Sequence, residues 1–199
     1  MVTIKRGFTL AEILITLGII GIVAAMTLPA LNTSIRRKTA SARLKTFYSR
    51  MKQMLLTAEN EQGDAGYWNT RLPSSEFWDT YFLPYIKATK GQKGDKIYFY
   101  DGSSLSLFGH GDCLELEYDY NGDKGPNQWA NDKYWFIICS EATNNNSNKN
   151  RWCSGFCARR LDADKNNRTK LYNDCKSNRK LCSALLEYDH WEFLSDYPW

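Results

Sequence analysis

The chain has 199 residues and a mass of 23.0 kDa, enough for one membrane segment and one modest domain of about 140 residues. Charged residues make up 24% and aromatics 14%, a composition that excludes a disordered polymer and supplies a packed core. The net charge of +4 is mild, but the basic residues are unevenly placed.

The N-terminus reads KRGFTLAEILITLGIIGIVAAMTLPAL from Lys5 to Leu31. The 19 residues from Ile13 to Leu31 carry no charge, and as a helix they span roughly 28 Å, close to the hydrocarbon thickness of a bilayer. The polar side chains among them are Thr16 and Thr27, whose hydroxyls can bond back to the preceding turn. A soluble amphipathic helix would keep a polar face, and this run has none. Glu12 is the anomaly, because an ionised carboxylate buried here costs on the order of 3 kcal/mol. Cleavage between Gly7 and Phe8 would supply its partner: a new α-ammonium on Phe8, one helical turn away. At about 4 Å and an effective dielectric near 20 that pair is worth roughly 4 kcal/mol, enough to offset the burial.

At these residues the chain resembles the type IV pilins and the type II secretion pseudopilins. Lys5 and Arg6 match the basic leader and Gly7 its last residue; Phe8, Thr9, Leu10 and Glu12 match the start of the mature chain, and Pro29 a proline often found in these helices. The resemblance implies cleavage after Gly7 by a membrane prepilin peptidase, N-methylation of Phe8, and a role for Glu12 in docking subunits into a helical filament. The competing reading is an ordinary signal peptide on an exported soluble domain. A basic n-region and the small residues near Ala24 and Ala25 suit it; the length of the apolar run and the pair Thr9 and Glu12 at its entrance do not.

Neither glycine nor proline interrupts the chain between Pro29 and Gly63, and Leu44, Phe47, Tyr48, Met51, Met54, Leu55 and Ala58 repeat at steps of three and four. One helix from about Phe8 to Glu61 is expected, roughly 80 Å long, amphipathic over residues 32–62. Arg36, Arg37, Lys38, Arg43, Lys45, Arg50 and Lys52 lie on this stretch with no acid before Glu59. Three readings are open: contact with lipid headgroups for the first three, contact with acidic neighbouring subunits, and DNA binding, which enclosure in a filament disfavours. These charges also oppose the positive-inside rule, so the expected cytoplasmic N-terminus comes from the family resemblance and from the cysteines.

Gly63 to Pro73 reads as a linker, with a globular α+β head over 63–199. In SSEFWDTYFLPYIK, Ser74 or Ser75 is placed to cap a short helix carrying Phe77, Trp78, Tyr81, Phe82, Tyr85 and Ile86, distorted at Pro84. Lys96 to Phe108 predicts a hairpin turning at Asp101-Gly102; CLELEYDY and KYWFIIC add strands, for three or four antiparallel strands against the long helix. Between the last two, Asp119, Asn121, Asp123 and Asp132 could ring a calcium ion, the one cofactor this sequence invokes. The competing reading is a polar turn bonding its own backbone. The loop is similar to one in pseudopilin-like proteins, a family whose major members bind calcium in a sheet loop.

Cys113, Cys139, Cys153, Cys157, Cys175 and Cys182 all follow the membrane segment, which suggests up to three disulfides in an extracytoplasmic head. Six cysteines allow 15 pairings, and the sequence does not choose among them; a zinc site is disfavoured because no C-x-x-C pair occurs and His110 and His190 are not at finger-like spacing. Asn144 to Asn150 reads as a solvated loop and Asp162 to Asn167 as a turn. Cys182 to Leu186 begins a short helix or strand, and Trp191, Phe193, Tyr197 and Trp199 should dock on the head.

No catalytic set or phosphate loop emerges, so the chain reads as non-enzymatic. The resemblance implies a structural pseudopilin or minor pilin. Its partners would be other pilin subunits, prepilin peptidase, an inner-membrane assembly platform and membrane lipid. It would sit as a single-pass inner-membrane protein with a periplasmic or extracellular head, and enter a filament on assembly. The alternative function is a filament-tip adhesin or DNA binder, which exposed, coplanar Trp68, Trp129 and Trp152 would support.

Overall fold

The computed structural model describes residues 7–87, 89–109, 113–139, 153, 155–161 and 166–198. Helix α1 runs unbroken from Leu10 to Gln62. The chain forms two compact units, one up to Thr39 and one from Ala40 to Trp199, with the division between them inside α1. In the first unit the apolar side chains are exposed, from Leu10 at 78% to Leu31 at 57%, and the most apolar 18-residue window has none of its length buried. Thr16 Oγ1 donates to the carbonyl of Glu12 and Thr27 Oγ1 to that of Val23, both at 2.9 Å, so neither hydroxyl interrupts the apolar surface.

In the second unit Ala40, Leu44, Phe47, Met51, Met54, Leu55 and Ala58 form the buried stripe of α1. They pack on an antiparallel sheet in the order β1 (Thr89–Lys93), β2 (Lys96–Phe99), β3 (Ser104–Gly109), β4 (Cys113–Asp119), β5 (Lys133–Cys139), β6 (Gly155–Ala158). Phe47 sits at the centre, stacked on Tyr118 at 3.8 Å and edge-on to Phe136 and Phe156. Along β4 the residues Leu114, Leu116 and Tyr118 are buried while Glu115 and Glu117 are less so, the alternation read in the sequence.

The sheet has six strands where three or four were expected. β1 is TKGQK, an exposed lysine-bearing edge without apolar alternation, and β6 has four residues, so neither carries a periodic signal. Gly63 to Pro73 is packed and not a loose linker: Asp64 caps a 3₁₀ turn over Ala65–Tyr67, and buried Trp68 donates from Nε1 to the Gly63 carbonyl at 2.8 Å. Neither Ser74 nor Ser75 caps helix α2 (Ser74–Phe77), which has Pro73 at its cap and runs into a π turn, Trp78–Phe82. That widened turn accompanies burial of Phe77, Trp78 and Phe82 together. Helix α3 (Arg168–Ser177), capped by Asn167, is missing from the sequence reading because its polar residues hide its two buried positions, Leu171 and Cys175. Helix α4 (Cys182–Tyr188) settles the next segment as helical.

Part of the basic run on α1 is neutralised inside the head. Arg43 and Arg50 both reach Asp101 in the β2–β3 turn, and Lys45 pairs with Glu192. These three are paired within the head. The C-terminal segment docks as expected: Trp191 packs on Tyr48 and Phe136, and buried Tyr197 donates to the Ala130 carbonyl. Asn144 to Asn150, most of Asp162 to Asn167, His110, Trp152 and Trp199 lie outside the described residues.

Candidate functional site

At the start of α1, Thr9 and Glu12 form a reciprocal cap. The Thr9 N–H and Oγ1 each donate to Glu12 Oε2 at 2.8 Å, and the Glu12 N–H donates to Thr9 Oγ1 at 3.3 Å. This is the S/T-x-x-E capping box, in which two otherwise orphaned helix N–H groups satisfy each other's side chains. Glu12 is therefore held by its own chain before any cleavage. Gly7 and Phe8 precede the helix, and Phe8 is 86% exposed, so the peptide bond between them is accessible. Among the described residues α1 is the one helix long and apolar enough to cross a membrane.

The loop from Asp119 to Asp132 closes on itself. Asp132 is fully buried, and its two oxygens accept the N–H groups of Asn127 at 2.8 Å and Gln128 at 2.6 Å. Asp119 accepts the Asn121 N–H at 3.1 Å, and the Asn127 amide, oriented to satisfy its neighbours, donates to Asp119 Oδ2 at 2.9 Å. Burial pushes Asp119 up to about 6 against the pull of the Asn121 N–H, with the Asp132 carboxylate adding to the rise. Asp123 turns away, accepting from Lys96 Nζ at 2.8 Å and Tyr98 OH at 3.0 Å. Of the residues read as a calcium ring, Asp119 and Asp132 are thus engaged by amides of their own loop, and Asp123 by Lys96 and Tyr98. Among the described residues no three His, Cys, Asp or Glu side chains are grouped to hold a metal. The donors to Asp132 are backbone amides, which the residue pattern does not display.

All six cysteines are paired: Cys113 with Cys139 across β4 and β5, Cys153 with Cys157 beside β6, and Cys175 with Cys182 between α3 and α4. The first pair was visible once β4 and β5 were aligned, because Cys113 and Cys139 are register partners. The expectation of an aromatic sugar-binding face loses Trp68, which is 3% exposed and stacked on Tyr81.

Two family models match the chain. Residues 3–28 match the family model described as the prokaryotic N-terminal methylation motif, and residues 30–199 match that of a family of unknown function (DUF6613). No curated protein and no solved structure matches the chain.

Proposed function

The chain belongs to the DUF6613 family of unknown function and is type IV pilin-like at its N-terminus, and from this we propose that it is a structural subunit of a pseudopilus or type IV pilus-like filament. The observation that carries the reading is the methylation motif running directly into an apolar helix whose side chains are uncovered. In this reading residues 1–7 are a leader removed by prepilin peptidase, and residues 8–31 cross the inner membrane until the subunit enters the filament. The unit from Ala40 onward is the extracytoplasmic head. Three disulfides suit that oxidising compartment.

The chemistry expected of the N-terminus follows from the capping box. Cleavage after Gly7 leaves an ammonium on Phe8, directly beside the Thr9 N–H that already donates to Glu12. The carboxylate then meets a full positive charge, its own or a neighbour's, in a medium where an unpaired charge is costly. Pairing between chains sets helices in register. No catalytic role is assigned to any residue; the work is assembly.

The test is the intact and N-terminal peptide mass of the membrane-extracted protein from cells with and without prepilin peptidase. A mature chain starting at Phe8, one methyl heavier and lost without the peptidase, is expected. A start near Met26 or beyond would mean an ordinary signal peptide and would end the filament reading.

A further inference from the structure

One corner of the head holds cations against aromatic rings. Lys180, in the 3₁₀ turn Arg179–Leu181 that joins α3 to α4, places Nζ 5.4 Å from the Trp129 ring centroid and 5.7 Å from that of Trp135. The two indoles lie 6.2 Å apart, tilted by 45°, and Arg159 lies 5.3 Å from the centroid of Trp135. Lys176 and Arg179 are exposed on the same segment. Among the described residues no carboxylate pairs with Lys176, Arg179 or Lys180. The charge is regional: from Arg159 to Lys180 the sequence has eight basic and three acidic residues.

Lys180 is thus held between two rings with its charge open to solvent. A cation already held this way loses little rotamer entropy when it meets an anion. The indole faces are engaged by these cations, so the corner offers fixed positive charge and not a stacking platform for bases or sugars.

The complementary surface is on the same chain. From Glu59 to Asp79 there are five acids and one base. Glu76 and Asp79 are exposed three residues apart, with no cationic partner among the described residues. Their helical segment is tied by Trp78 Nε1 to the Asp95 carbonyl, in the β1–β2 turn at one edge of the sheet. Trp135 and Lys180 are at β5, three strand spacings or about 14 Å across. Exposed Lys90 and Lys93 on β1 confine the acidic surface to the α2 side. Opposite charges on different parts of one subunit make a heterologous contact, which repeats without closing.

We propose that the Lys180–Trp129–Trp135–Arg159 corner seats the Glu76 and Asp79 surface of a second copy of this chain, a heterologous contact between the globular domains of neighbours. The inference rests on the filament reading, since it needs copies held side by side. It adds a contact independent of the apolar helix and of Glu12.

The experiment uses full-length chains in cells containing prepilin peptidase, with two distinguishable tagged copies, zero-length carbodiimide cross-linking and peptide mapping. An interchain link from Lys180 to Glu76 or Asp79 is expected. R179E/K180E on all copies should lower copurification of the two tagged copies roughly fivefold, as should E76K/D79K, and the four changes together should restore it, with an interchain link now between the exchanged charges. K180R, which keeps the charge but removes the reactive amine, should abolish the mapped link while leaving copurification of the two copies unchanged. Chains that start at Phe8 and link only through other residues would overturn this contact and leave the filament reading intact. Chains that keep their leader and show no link at Lys180 would remove both. Retention on heparin that depends on Lys180, without the link, would mean a polyanion ligand and would also overturn the proposal.

Discussion

Asp132 shows how far one side chain can organise a loop. Its two oxygens accept two backbone N–H groups in a site closed to water, so Asp132→Ala should leave both donors orphaned and cost about 2–4 kcal/mol in urea unfolding. Because these oxygens are committed, a calcium chelator should leave the melting temperature of the oxidised protein unchanged; a fall on chelation would reinstate the ion. Gly122 makes a second residue-level case. It has φ +69°, and a Cβ there would stand 2.6 Å from the Gly102 carbonyl oxygen, so Gly122→Ala should destabilise by about 1–3 kcal/mol, read by the same unfolding curve. The aspartates and glycines of this loop were legible as turn residues. Which oxygen took which amide was not, since that depends on the path of the closed loop.

At the level of elements, α1 and the β2–β3 hairpin carry the strongest tests. Phe47→Ala removes a fully buried ring that touches β4, β5 and β6 through Tyr118, Phe136 and Phe156, and should cost about 3–5 kcal/mol. Asp101 ties the hairpin turn to the helix. Burial would raise its carboxyl, but the Ser103 hydroxyl and N–H bonds and the nearby Arg50 and Arg43 outweigh this and hold it below its ordinary 3.8. A depressed folded-state value means that the stabilisation is complete above about pH 5 and is lost as pH falls through the folded value. Asp101→Asn should therefore cost roughly 1–2 kcal/mol at pH 7, and the gap from the parent should close in urea titrations as pH falls below the ordinary 3.8. Helix α1 was readable because its period persists over several turns; the hairpin was readable because alternation flanks Asp101-Gly102. β1, β6 and α3 were not, because a strand at an exposed edge or of four residues, and a helix with two buried positions, draw their order from neighbours and not from their own pattern.

Across the molecule, the three disulfides should differ in weight. Chain-entropy arguments scale with the enclosed loop: at separations of 26, 7 and 4 residues they give about 3.5, 2.4 and 1.9 kcal/mol for Cys113–Cys139, Cys175–Cys182 and Cys153–Cys157. Paired serine substitutions should lower the melting temperature in that order, and a reversed order would show that local packing outweighs loop closure. The sequence by itself determined the N-terminal element. A charge-free run with Thr9 and one carboxylate, Glu12, at its entrance is local in the chain, and its meaning follows from solvent and helix geometry alone. It also determined the α+β class, because periods of 3.6 and 2 are written along the chain. Only the tertiary structure decided the cysteine pairing, the engagement of Arg43, Lys45 and Arg50 by Asp101 and Glu192, and the meeting of Lys180 with Trp129 and Trp135. Each joins residues far apart in sequence, and their proximity is a product of strand order and helix packing that no local pattern encodes.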